Sequence, residues 1–83
     1  MAVEVTLYTR RTSFLCVKAK ASIRSATSLH RLPIELREVD IDGDAALRER
    51  FTNDVPVMYL NGVEAFRHRV SPQEFADYVI APS

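Results

Sequence analysis

Val3-Glu4-Val5-Thr6-Leu7-Tyr8-Thr9-Arg10-Arg11-Thr12-Ser13-Phe14-Leu15-Cys16 changes its period midway. From Val3 to Leu7 apolar and polar side chains alternate and β-branched types are frequent, which predicts a strand with one face on a core. Thr9 to Thr12 break that pattern with polar residues. Beyond them Leu15, Cys16, Ala19, Ile23 and Ala26 recur at steps of three or four, forming one apolar stripe at about 100° per residue. A helix over Ser13 to about Ser28 follows, with Ser13 as its N-cap and Lys18 and Arg24 off the stripe. Pro33 sets its outer limit, because the residue before a proline is pushed away from helical angles.

Downstream, Ile34 to Ile41 returns to near period two, with Ile34, Leu36, Val39 and Ile41 available to the core and one slip of phase at Arg37-Glu38. A second strand with a bulge is expected there. Asp42-Gly43-Asp44 reads as a turn and helix cap, followed by a short helix over Ala45 to Phe51. Asn61-Gly62 between Val57-Met58-Tyr59-Leu60 and Val63-Glu64-Ala65-Phe66 predicts an antiparallel hairpin, since this dipeptide suits the type I′ turn that matches strand twist. Ser71-Pro72-Gln73-Glu74 is a capping box with proline at the first helical position, and Val70 and Phe75 stand at staple positions. That last helix is expected to run to about Ile80 and to be stopped by Pro82.

The order strand, helix, strand, helix, strand, strand, helix implies an α/β domain. Its sheet is mixed and four-stranded, with parallel neighbours from the strand-helix-strand unit and an antiparallel edge from the hairpin. At 83 residues the chain has room for one domain, 1–83, and not for a separate cofactor-binding lobe. Its 47% hydrophobic and 27% charged residues exclude a disordered or collagen-like class. Eleven Lys and Arg balance eleven Asp and Glu, so no overall field draws the chain to nucleic acid or an anionic membrane. Its single cysteine excludes an internal disulfide and a cysteine-rich zinc site. A signal peptide and a spanning helix are not expected, and a monomer in the reducing cytoplasm is.

Leu7-Tyr8-Thr9-Arg10-Arg11-Thr12-Ser13-Phe14-Leu15-Cys16, then Glu38-Val39-Asp40-Ile41-Asp42, then Val55-Pro56-Val57 resembles the glutaredoxins of the thioredoxin fold, and most nearly their short bacterial relatives with C-x-L-C at the helix start. The resemblance spans Val3 to about Ile80. It implies a thioredoxin fold and thiol-disulfide chemistry, with glutathione as a possible co-substrate, no bound cofactor and no metal. In that family the first cysteine is the nucleophile and the second resolves the mixed disulfide. By position Ser13 stands where the nucleophile belongs and Cys16 where the resolving thiol belongs, giving S-x-x-C. The resemblance also makes Val55-Pro56 a cis peptide whose Val55 backbone meets an extended peptide or glutathione, and sets Arg10 near a glutathione carboxylate. The glycine pair and acidic residue that hold the γ-glutamyl end have no counterpart after Gly62, where Val63-Glu64-Ala65-Phe66-Arg67-His68-Arg69 stands instead.

A serine hydroxyl cannot form a disulfide, so the dithiol cycle cannot run within this chain. Ser13 is an engineered replacement, a natural variation that leaves Cys16 redox-active, or the mark of a domain that kept the fold and lost the reaction. As a plain N-cap it suits all three. Cys16 likewise has two readings: an inert thiol on the apolar stripe, or a reactive one in the first helical turn, where unpaired backbone N–H groups favour anions. Three functions follow. The first is thiol-disulfide exchange through Cys16 with glutathione or a protein thiol or disulfide. The second is a non-catalytic module that holds a peptide or glutathione at Val55, and the third is thiolate stabilisation by Ser13 as in some glutathione transferases. Arg67 and Arg69, alternating on a strand, would share a face open to an acidic partner. His30 and His68 read as surface residues.

Overall fold

The structure, a computed structural model, describes residues 2–81. Alternating Val3–Thr9 forms β1, and the Ser13-capped apolar stripe forms α1 over Phe14–His30. β2 is Ile34–Asp40, followed by a single 3₁₀ turn at Ile41–Gly43 and by α2 at Ala45–Phe51. The hairpin strands are β3, Val57–Leu60, and β4, Val63–Arg67, and Pro72–Ile80 is α3. The expected stop at Pro82 lies outside the described residues.

In the sheet the strand order is β2-β1-β3-β4, with β1 parallel to β2 and antiparallel to β3, and β3 antiparallel to β4. Strand alternation divides the core in two. Val5, Leu7, Met58 and Leu60 pack with Ala19, Ile23 and Ala26 of α1 and Phe75 and Ala76 of α3. The second cluster joins Val57 to Cys16, Ile41, Phe51 and Val55, with Tyr8, Leu47 and Tyr59 against it. There the rings of Tyr8 and Phe51 lie 5.0 Å apart, and Tyr59 meets Tyr8 edge-on at 5.5 Å.

Two local devices fix the hairpin. Asn61 and Gly62 both take positive φ, 50° and 83°, as a type I′ turn requires. Asn61 also ties the turn to β1: its N–H donates to the Glu4 carbonyl at 2.8 Å and its Oδ1 accepts from the Glu4 N–H at 3.0 Å. The α3 capping box is complete, with Ser71 Oγ accepting from the Glu74 N–H at 3.1 Å and Glu74 Oε1 from the Ser71 N–H at 3.0 Å.

The bulge lies elsewhere than the phase slip suggests. The β1–β2 register runs unbroken from Val3↔Ile34 to Thr9↔Asp40. At Glu38 the side toward α1 carries a charge, because Lys20 Nζ of α1 reaches its carboxylate at 3.0 Å. Val39 opposes Tyr8 and by alternation faces the other side. The slip therefore marks a change of apolar face. The irregularity is in the hairpin, where Met58↔Phe66 is followed by Tyr59↔Glu64, leaving Ala65 as the extra residue.

Candidate functional site

Ser13 has extended angles, φ −88° and ψ 116°, and its Oγ accepts the Cys16 N–H at 3.4 Å. The hydroxyl thereby satisfies one of the amides that a helix start leaves unpaired. Cys16, a free thiol 4% exposed, points inward to the cluster of Ile41, Phe51, Val55 and Val57. Val55 and Pro56 precede β3, both buried, and the peptide bond between them is cis. Cys16 and Val55 thus meet in one cluster although 39 positions separate them. Among the described residues no backbone or side-chain group hydrogen-bonds to the N–H or C=O of Val55, whereas the Pro56 carbonyl accepts the His68 N–H at 2.7 Å.

The other side of Cys16 opens on a cavity of about 350 Å³, walled also by Thr9, Arg11, Val17, Glu38 and Asp40. Arg10 and Lys20 contribute its cationic arms. Each cation meets an acid from the carboxyl end of β2 or the turn after it. Arg10 holds Asp42 with two contacts, 2.9 and 3.2 Å, Lys20 meets Glu38 at 3.0 Å, and Arg11 approaches Asp40 at 3.9 Å. The resemblance offers Arg10 a ligand carboxylate; in the structure Asp42 fills that role. Asp42 reads in the sequence only as a turn residue, and nothing local to it announces a partner 32 positions away. The parallel β1–β2 register is what brings the loop after β1 beside the segment after β2.

The second pair of arginines is separated. β4 ends at Arg67, His68 takes a positive φ of 70°, and Arg69 lies past the strand, so the two do not share a strand face. Arg67 is bound to Glu64 at 2.7 Å and to Asp54 at 3.1 Å, and His68 Nε2 lies 3.3 Å from Asp54. The hydrogen bonds from Arg67 hold the Glu64 carboxyl below its usual value of 4.5, and Arg67 is raised in turn. A carboxylate with a lowered folded-state pKa contributes its stabilisation above the unfolded value and loses it as pH falls through the folded one. In an NMR pH titration the Glu64 carboxyl should therefore titrate at lower pH in the native chain than in Arg67→Gln. His30 is exposed on the last turn of α1.

A parallel β1–β2 pair, an antiparallel β3–β4 hairpin, and a proline loop facing the start of α1 define a thioredoxin-fold protein. The chain belongs to the family described as Glrx-like, Glutaredoxin-like domain (DUF836), whose sequence model matches residues 4–79. Solved structures agree on the fold. A structural-genomics target, XcR50 from X. campestris, is 24% identical with a TM-score of 0.80, over 95% of this chain and 99% of that one. Protein Ne2328 from Nitrosomonas europaea is 22% identical with a TM-score of 0.78, over 95% and 93%. Thioredoxin-2, described as a component of malaria parasite protein secretion machinery, is 20% identical with a TM-score of 0.71, over 94% and 81%. No curated protein matches the chain significantly.

Proposed function

We propose that the chain is a single-thiol redox protein in which Cys16 exchanges with a disulfide of glutathione or of a protein partner. The observation that carries this reading is the position of Cys16, between the Val55 loop on one side and the charged cavity on the other. The Cys16 thiolate attacks one sulfur of R–S–S–R′. A Cys16–S–S–R bond forms as the R–S–S–R′ bond breaks, and R′–S⁻ leaves and takes up a proton. A second thiolate, R″–S⁻ from glutathione or the partner, then attacks the R sulfur: an R–S–S–R″ bond forms as the Cys16–S–S–R bond breaks and Cys16 leaves as its thiolate. Each turnover thus consumes one thiol, releases another and exchanges one disulfide for a second. Ser13 takes no covalent part and holds the Cys16 amide. The backbone groups of Val55 pair with an extended partner, and Arg10, already shaped to a carboxylate by Asp42, exchanges that carboxylate for one on the ligand. The setting is the reducing cytoplasm, where a lone thiol stays free.

Incubating the folded protein with oxidised glutathione tests this. Mass spectrometry should find one glutathionyl group on the native chain and none on Cys16→Ala. An adduct that forms only after denaturation overturns the redox reading. The near-complete burial of Cys16 favours a second reading, a binding module that uses Val55 without exchange. In calorimetry it predicts glutathione or peptide binding that is the same in Cys16→Ala.

A further inference from the structure

The zero net charge conceals an uneven distribution. Between Glu4 and Glu35 the chain carries six Lys or Arg and no Asp or Glu. The cations turned toward β2 are matched, Arg10 by Asp42, Arg11 by Asp40 and Lys20 by Glu38. Those on the outer face of α1 are not: Lys18 and Arg24 are exposed and form no ion pair with a described residue. On the same face Phe14, Val17 and Ala21 follow at helical spacing, and Phe14 and Val17 are 69% and 60% exposed. Lys18 Nζ stands 5.3 Å from the Phe14 ring centroid, so the cation and the ring form one surface. Val17 borders the cavity that contains Cys16, and Lys18 borders a second groove toward Arg69 and Ser71. The apolar ridge therefore stands beside the candidate redox site.

We infer that the outer face of α1 docks an acidic protein segment that places an apolar side chain on Phe14 and Val17, with its carboxylates on Lys18 and Arg24. Charge complementarity identifies the occupant: between Phe14 and Arg24 the exposed residues of α1 include Lys18 and Arg24 and no acid. The bordering acids are Glu74, across the groove from Lys18, and Glu38, which Lys20 holds. Cations around an aromatic anchor select acids on a partner and speed their encounter. A lipid surface fits less well. The apolar ridge near the site is short, with Phe14 and Val17 as its large exposed side chains. The inference rests on the redox reading for what the partner brings, a disulfide, but the docking step itself does not use Cys16.

The probe is the acetylated, amidated peptide Glu-Glu-Phe-Glu-Glu, titrated into isotope-labelled protein and followed by amide NMR shifts. The shifts should map to residues 14–25 and weaken with added salt. The double reversal Lys18→Glu with Arg24→Glu should weaken binding at least about tenfold, whereas Arg48→Glu, on exposed α2, should leave it unchanged. Phe14→Ser, which alters an exposed side chain, should weaken binding with the charges intact. Cys16→Ala should bind as the native chain does, so loss of the redox reading and loss of the docking face give different results. Shifts that map elsewhere, equal binding by the charge-reversed variant, or tighter binding of phosphatidylserine vesicles to the same residues would overturn the inference.

Discussion

Ser13→Cys should turn the chain into a dithiol protein that reduces disulfides in a glutathione-coupled assay about a hundredfold faster than the native sequence. Losing the attacking nucleophile of a catalytic unit costs at least that much in other systems, so restoring it should return a comparable factor. The geometry required is already present. Residue 13 sits at the N-cap, three residues before Cys16, with its side-chain oxygen 3.4 Å from the Cys16 amide nitrogen. A thiol there would lie where unpaired amides and the helix dipole stabilise a thiolate, and one turn from a partner sulfur. The same variant should form an intramolecular disulfide, visible as the loss of both free thiols under mild oxidation. A folded variant with two free thiols and no activity would mean that the loop carrying Arg10 and Arg11 no longer supports exchange.

Phe51→Ala should remove about 3–5 kcal/mol of stability, measured by urea denaturation. Phe51 is 1% exposed and packs its ring tilted against Tyr8 and edge-on to Tyr59 in the cluster that contains Cys16 and Val55. Truncation there loses the transfer free energy of the ring and leaves a void that the surrounding strands cannot collapse to fill. In a small domain this is much of the total, since native stabilities run at about 5–15 kcal/mol. Phe14→Ala is the contrast. That ring is 69% exposed, and its loss should change stability by no more than about 0.5 kcal/mol.

The legible parts of the sequence are those governed by local rules. Ser13, Asn61-Gly62 and Ser71-Pro72-Gln73-Glu74 each use side-chain chemistry that acts within four residues, and each marks its turn or helix start in the structure. The stripe from Cys16 to Ala26 is equally direct, because helical period maps onto burial. What period could not show is which of two buried faces a residue joins. Arg37-Glu38 reads as a bulge until the sheet is known to have a helix on each side, and Ala65 takes the bulge because the hairpin, not the parallel pair, absorbs an extra residue. At the site, the resemblance brought Ser13, Cys16, Arg10 and Val55-Pro56 into view. The acids Asp40 and Asp42 that bind the loop arginines, and the ring cluster of Tyr8, Phe51 and Tyr59, depend on long-range register, and no local signal specifies them.

Cys16 decides between a redox protein and a fold that no longer reacts. The most direct measurement is the rate at which a small uncharged alkylating reagent modifies Cys16 in the native protein at neutral pH, compared with the urea-unfolded chain. A thiol that opens on the Arg11 and Val17 cavity should react within about tenfold of the unfolded rate, without following global unfolding. A rate that falls by several orders of magnitude and tracks the unfolding equilibrium across a urea series would make Cys16 a core residue and contradict the account.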